Sequence, residues 1–320
     1  MEASLPRRVP LLNRGMQPAG KLNQIGVAWN WQYDGDFVHL LDKSFHQAGL
    51  DSYLVGLHNL AQTTAEVERG ERRFLWFLDR ASDEDAQFLK LNQLFHANGT
   101  HILNAHDHYL HASDKAEIHR DLIASGLNLP TTLIVPAYDR EPQLDPSAID
   151  AFAKPFVVKP AKGSGGRGVL TSAKYISEVN HARAKHHCQR FLIQQKIEPQ
   201  IINDRRAWFR VYFVCGTVIP CWWDDRTHRY ILFEPKDADV INVAELERIL
   251  RVIASISKLD FFSAEIALDT HHRYVVIDYV NTPCDMRLQS KYANGVPDLL
   301  VQQIIAAVTS YLKAQITGTT

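Results

Sequence analysis

The sequence predicts a mixed α/β and α+β protein, with a parallel α/β domain at the N-terminus and two α+β lobes after it. Strand-like apolar runs alternate with helical patterns as far as about residue 110, which is how strands joined by crossover helices read. Near the middle, a glycine-rich stretch lies between two strand-like runs, and the last third alternates strong strands with two helices. The expected divisions are residues 1–110, 111–195 and 196–320.

In the first domain 24–31, 52–57, 74–79 and 101–104 read as strands, and 37–47 and 84–96 as helices. From 113 the pattern changes. Ser113 is a candidate N-cap for a helix to about Ser125, which Gly126 stops. Strands at 132–135, 156–160, 168–172 and 191–197 with a helix at 175–185 make the first lobe. Its two strands around the glycines suggest an antiparallel hairpin. Strands at 208–215, 217–223, 261–268 and 274–278 with helices at 243–257 and 297–313 make the second lobe.

With 320 residues, 46% hydrophobic and 22% charged, the chain has the composition of an ordinary globular protein. A net charge of −1 and a pI of about 6.9 argue against nucleic acid or an anionic membrane as the main partner. Cys188, Cys215, Cys221 and Cys284 form no C-x-x-C pair, and their spacing suggests neither a zinc site nor a disulfide framework. A reduced, cytoplasmic compartment is expected. Residues 1–16 lack the apolar segment of a signal peptide, and no apolar run approaches the ~20 residues that span a bilayer.

The most informative stretch is Pro155-Phe-Val-Val-Lys-Pro-Ala-Lys-Gly-Ser-Gly-Gly-Arg-Gly-Val169. Bare glycine backbone lets N–H groups approach phosphate oxygens, and Lys159 and Lys162 add positive charge. Gly163, Gly165 and Gly168 match G-x-G-x-x-G, but a dinucleotide fingerprint needs the last glycine to open a helix, whereas Val169-Leu-Thr reads as a strand. A protein-kinase loop is excluded because no His-Arg-Asp or Asp-Phe-Gly follows. Upstream, Gly15-Met-Gln-Pro-Ala-Gly20-Lys21 fits a P-loop spacing, but Leu22 replaces the magnesium-holding hydroxyl, Pro18 interrupts it and a strand follows.

A lysine on a strand entering a glycine-rich loop resembles the ATP-grasp family, in particular its glutathione synthetase-like and RimK-type carboxylate–amine ligases. Other positions match that family in order. Lys115 opens a helix, and Gly126-Leu-Asn-Leu-Pro130-Thr131 matches the small residue and Pro-Thr turn that follow that helix in the family. Lys159 and the loop (Lys162, Gly163, Ser164, Gly165, Gly166, Gly168) come next, then the nucleotide hinge Gln194-Gln195-Lys196-Ile197-Glu198. Arg210 resembles the family's phosphate-contacting arginine, and Glu265, Asp278 and Asn281 its magnesium set. The resemblance covers about 100–310. It implies ATP with one or two Mg²⁺ ions (Mn²⁺ as an alternative), small-molecule carboxylate and amine substrates, an acyl phosphate intermediate, and release of ADP and phosphate. A homodimer would be the commonest assembly.

The residues support the same chemistry. Mg²⁺ takes a few carboxylate or amide oxygens together with phosphate and water. Glu265 and Asp278, on adjacent strands, are placed to share such an ion, and Asn281 adds a neutral oxygen. The departures are Asp278-Tyr-Val-Asn281 where the family more often has Glu-x-Asn, a following loop without its usual glycine, and Trp208 where many relatives have Asp. Glu198 is then the candidate ribose contact. Arg287 is a candidate carboxylate clamp or an ion-pair partner of Asp285. His106, His108 and His111 are expected in a solvated connecting loop, and His186 and His187 at a helix end. Trp31, Tyr33 and Asp34 follow the first strand as substrate-pocket candidates, with Trp222, Trp223 and Asp224 as others. A phosphotransferase or a non-catalytic nucleotide-binding module would use the same nucleotide site.

Overall fold

The computed structural model describes residues 20–163 and 165–318. The 1–16 segment, most of the P-loop-like spacing and Ser164 lie outside the described residues. The chain divides into two compact units, one formed by residues up to Leu103 together with Ile305 onwards, the other by Asn104–Ile304.

The first unit contains β1 (Lys21–Trp29), α1 (Gly35–Gln47), β2 (Ser52–Val55), α2 (Leu57–Glu68), β3 (Arg72–Arg80), α3 (Leu89–Ala97) and β4 (His101–Leu103). Its four strands pair in parallel in the order β2-β1-β3-β4. Ile25, Val27 and Ala28 of β1 are all fully buried, as a strand covered on both faces requires. Val55, Phe74 and Phe77 of the sheet pack with Leu60 and Val67 of α2 and Leu91 and Phe95 of α3. The expected strand to 57 stops at Val55, because Gly56 turns the chain into α2 and donates its N–H to Asn59 Oδ1 at 2.9 Å. Asp34 is not a pocket lining residue: its carboxylate is buried in a two-pronged ion pair with Arg80, at 2.7 and 2.8 Å. Trp31 and Tyr33 meet edge-on at 5.2 Å.

The second unit begins with α4 (His106–Ser113) and α5 (Lys115–Ala124). The histidine segment is therefore helical rather than a loop, and His106 and His108 point about 160° apart around the helix. His111 instead meets Asp121 at 3.1 Å. Because α4 runs through Ser113, the cap of α5 is Asp114, whose Oδ1 accepts the N–H groups of Ala116 and Glu117. Strands β5 (Thr132–Val135), β6 (Phe156–Pro160), β7 (Leu170–Ala173) and β8 (Phe191–Gln194) form an antiparallel sheet in the order β5-β8-β6-β7, backed by α6 (Ile176–Lys185). The hairpin expected around the glycines is the β6–β7 pair.

A two-stranded pair, β9 (Ile201–Ile202) and β10 (Arg205–Arg206), precedes β11 (Trp208–Val214), β12 (Thr217–Asp224), β13 (Arg229–Leu232), α7 (Val243–Ser257), β14 (Phe261–Leu268) and β15 (Tyr274–Asn281); the last helix, α8 (Asp298–Thr317), belongs to the first unit from Ile305 onwards. The five longer strands form an antiparallel sheet in the order β13-β12-β11-β14-β15. Its period of two separates the faces. Phe209, Val211, Phe262, Ala264 and Ile266 pack with Ile118 and Leu122 of α5 and Leu246, Ile249, Leu250 and Ile253 of α7. Burying each such side chain contributes about 1.5–3 kcal/mol. The alternate positions, Arg210, Tyr212, Ser263 and Glu265, face the other way.

The buried pair in the first unit generates a prediction. Asp34→Ala removes the carboxylate from a buried guanidinium and lowers the stability of the first unit by about 3–5 kcal/mol, read as a drop in the urea midpoint. A shift under about 1 kcal/mol, the range of exposed pairs, would contradict it.

Candidate functional site

Two sheet faces supply the candidate residues. On β6, Phe156 and Val158 point into the core beneath α6 with Phe191, Ile193 and Val179. Strand alternation then sends Lys159 to the opposite face, and the register Val157↔Gln194 and Lys159↔Leu192 puts Gln194 on that face too. Lys159 is only 6% exposed. Its Nζ donates to the carbonyl of Ile277 on β15 at 2.9 Å and sits 5.2 Å above the Tyr279 ring. Burial lowers its pKa to about 8; Lys115 acts in the same direction, and Asp278 and Glu265 oppose it.

The opposing face belongs to the five-stranded sheet. Arg210 on β11 lies opposite Glu265 on β14, and Glu265 opposite Asp278 on β15. Residues directly opposed on neighbouring strands point to the same side, so the three form one row. Arg210 Nη2 donates to Glu265 Oε1 at 2.6 Å, Trp208 Nε1 donates to Oε2 at 3.2 Å, and the guanidinium lies 4.9 Å over Trp223.

The register of β15 shifts on both sides of the Glu265–Asp278 pair, and Ser263 pairs with Asn281. Each shift places an extra residue on β15, a β-bulge. Asp278 and Asn281, three positions apart, thereby regain the same face. The longer Asp278-Tyr-Val-Asn281 spacing is absorbed by this bulge. Burial alone would raise the Asp278 pKa, but Lys115, Lys159 and Arg210 outweigh it and hold the carboxyl below its usual range. Asp278 Oδ1 is buried and has no hydrogen-bond partner among the described residues. A buried anionic oxygen without a donor is costly unless a cation meets it. The Glu265 oxygens retain lone pairs beyond the donors they accept. The donor set therefore fits a hard cation such as Mg²⁺.

Lys115 opens α5 and donates from Nζ to the Gly163 carbonyl at 2.8 Å, tying the helix to the glycine loop. Gly163, Gly165, Gly166 and Gly168 all have positive φ, from +63° to +127°. At Gly168 a Cβ would also lie 2.7 Å from His186 Nε2, so glycine is required there twice over. Lys162 is exposed, 3.9 Å from Asp114.

Strand β8 ends at Gln194, so 195–198 is a connecting segment as a hinge requires. Gln195 donates its N–H to Thr131 O and accepts from Ala153 N through Oε1, so its side chain serves the backbone beside it. Glu198 meets Arg206 at 3.3 Å and Lys196 at 3.7 Å. Arg287 is bound through Nε and Nη2 to Asp285, at 2.7 Å for the shorter contact, which is the ion-pair alternative. Trp222 points into the core and donates to Asp237 at 2.9 Å. Asp224, with Tyr230, Ile231 and Gln289, lines an open cavity of about 540 Å³.

Two participants escaped the sequence reading. Trp208 supplies Glu265 with a second donor. Tyr279, between Asp278 and Asn281 in the sequence, takes its hydroxyl to Gln194 Nε2 at 2.7 Å and to His119 Nδ1 at 2.6 Å. The only sequence signal for either was a polar-tipped aromatic in a strand.

No family model matches the chain, and no curated protein matches it. Solved structures do. A RimK-domain ATP-grasp protein from Sphaerobacter thermophilus matches at a TM-score of 0.61, over 90% of this chain and 99% of its own, with 18% identity. The fold is the ATP-grasp fold. The macrocyclase MdnC from Microcystis aeruginosa, solved with its precursor peptide MdnA, matches at 0.61 over 90% and 99% of the two chains, with 12% identity. The VanG D-Ala:D-Ser ligase from Enterococcus faecalis matches at 0.59 over 91% and 100%, with 11% identity. The ATP-grasp fold can be inferred from likeness at this identity; the reaction cannot.

Buried behind Lys159, His119 has a testable titration. Burial, then Lys159 and Arg120, lowers its pKa from 6.5 to about 4. The folded state therefore disfavours the proton. Above the unfolded pKa His119 is neutral in both states; as pH falls through 6.5 the unfolded chain takes the proton first, and stability is lost down to the folded pKa. Between pH 7 and pH 4.5 the wild type should lose about 2–3 kcal/mol more than His119→Gln in denaturant unfolding. Equal losses in the two proteins would contradict this.

Proposed function

We propose that this chain is an ATP-dependent ligase that activates a carboxylate as an acyl phosphate and transfers the acyl group to an amine. The reading rests chiefly on one observation: the Lys159 ammonium and the donor-free Asp278 oxygen are buried in the same electrostatic neighbourhood, a charge pattern suited to a metal–triphosphate complex. The lobes at 111–195 and 196–320 belong to the same proposal.

In this reading Lys115, Lys159 and the glycine-loop amides at 163–168 hold phosphate oxygens, with Lys162 at the loop's exposed edge. The backbone of 195–197 receives the adenine, and Glu198 the ribose. Glu265, Asp278 and Asn281 hold one or two Mg²⁺ ions, with Mn²⁺ an alternative, and the metal would neutralise charge on the phosphates. Arg210, held in place by Glu265 and the Trp223 ring, faces the transferring phosphoryl group and offsets its developing charge. The substrate carboxylate attacks the γ-phosphate, breaking its bond to ADP; the amine then displaces phosphate from the acyl carbon. Arg287, clamped by Asp285, orders the loop after β15. The cavity bordered by Asp224, Tyr230 and Gln289 is the candidate acceptor pocket. One structure of the same fold is described with a bound precursor peptide and another as a D-Ala:D-Ser ligase, so peptides and amino acids both belong in the test pool. The glycine loop, pinned by Lys115, would exclude water from the intermediate.

The test is incubation with Mg·ATP, a pool of amino acids, short peptides and small acids, and hydroxylamine as a trap. ADP together with a hydroxamate or a new amide is the expected result, and Lys159→Met should lower kcat/KM by about 10²–10³-fold. ADP with a phosphorylated alcohol would replace the ligase by a phosphotransferase. Absence of ADP with every pool, or full activity in Lys159→Met, would contradict the proposal.

A further inference from the structure

Outside this site, three metal-ligating side chains from two separate segments meet. Asp139 lies in the segment after β5, and His187 and Cys188 follow α6. His187 Nδ1 is 3.0 Å from Asp139 Oδ2, Cys188 Sγ donates to the same oxygen at 3.3 Å, and Sγ and Nδ1 are 3.0 Å apart. The Asp139 N–H also donates to the His187 carbonyl at 3.1 Å. A backbone hydrogen bond thus already joins the two segments. All three side chains are exposed, and among the described residues theirs is the one group of three or more such ligand atoms brought this close.

We infer that Asp139, His187 and Cys188 form a zinc-class metal site with an open fourth position, separate from the nucleotide site and not dependent on it.

The donor chemistry selects the ion. Thiolate with imidazole and carboxylate suits Zn²⁺, whereas Mg²⁺ and Ca²⁺ take oxygen alone. Tetrahedral bonds of about 2.0–2.3 Å to these atoms set the ligand atoms about 3.3–3.6 Å apart. The observed 3.0–3.3 Å separations need to open by about 0.3–0.6 Å, which exposed side chains do at little cost. The charges also balance: one carboxylate and one thiolate neutralise a dication beside a neutral imidazole. In the metal-free arrangement the Cys188 proton is shared with Asp139, which raises the thiol pKa. Metal takes the place of that proton: a sulfur–metal bond forms, the S–H bond breaks, and the proton leaves to solvent. His186, next to these ligands, lies against Gly168, so the ion would fix the segment on which the glycine loop rests.

Cobalt(II) added to the full-length, metal-stripped protein tests the assignment. Cys215 is half-buried and Cys221 and Cys284 are buried, so an accessible thiolate signal reports Cys188. One ion per chain should bind with a near-ultraviolet sulfur-to-cobalt charge-transfer band, lost in Cys188→Ser and weakened in Asp139→Asn and His187→Gln. One equivalent of Zn²⁺ should slow the reaction of Cys188 with a disulfide reagent by about tenfold or more, because the thiolate becomes the ligand. A band that persists in Cys188→Ser, no band at all, or a thiol reactivity that zinc leaves unchanged would overturn the site. Nucleotide turnover plays no part in these readouts, so their outcome is separable from that of the ligase.

Discussion

Lys159 carries an ammonium in a nearly dry position, and much of the second unit is organised around that fact. Burying such a charge costs several kcal/mol unless neighbours compensate. The compensation comes from the β15 strand: a carbonyl at Ile277, a ring face at Tyr279 and the carboxylate of Asp278. A lysine on one sheet therefore binds a strand of another. The second lysine, on α5, holds the glycine loop to the same neighbourhood through Gly163. Burial alone would raise the Asp278 pKa, but these cations and Arg210 hold it below its usual range. Each charge is stable where it is because of the others, and among the described residues one oxygen of Asp278 is left without a donor. Function enters through that remaining deficit.

The polar wall behind Lys159 follows the same logic. The Tyr279 hydroxyl is shared by Gln194 from the end of β8 and His119 from α5. Three elements thus converge on one oxygen below the lysine. A network of this kind is stabilising only when every member is satisfied, and here the imidazole, hydroxyl and amide each have a partner. The connecting segment 195–198 begins one residue past that anchor.

Much of this was legible because buried strands and amphipathic helices carry strong periodicity. The bounds of β5, β6, β14 and α7 coincide with the apolar runs that announced them. Lys159 stood out as a charge in an apolar strand, and the glycine spacing marked the loop whose positive φ values require glycine. Other features depend on distant partners. The Asp278–Asn281 spacing looked like a departure until its pairing with β14 revealed the bulges. Ser113 and Asp114 are both good caps by residue type, and only the preceding helix decides between them. Leu57 read as a strand end, and only the turn at Gly56 makes it the first residue of α2. Asp34 read as a substrate-pocket candidate because Arg80, its partner, is 46 positions away. The Asp139, His187 and Cys188 group was invisible for the same reason: cysteine spacing says nothing when one ligand lies 48 residues upstream.

In the proposed site Asp278 serves a cation that accompanies a triphosphate. Calorimetric titration with ATP, in the presence and absence of Mg²⁺, on wild type and Asp278→Asn tests it most directly. The amide keeps the shape and removes the charge. ATP without metal should bind the variant at least as well as the wild type, because a like charge has gone, while the gain in affinity on adding Mg²⁺ should largely disappear, a loss of about tenfold or more. An Asp278→Asn protein that keeps the full magnesium-dependent gain would contradict the account.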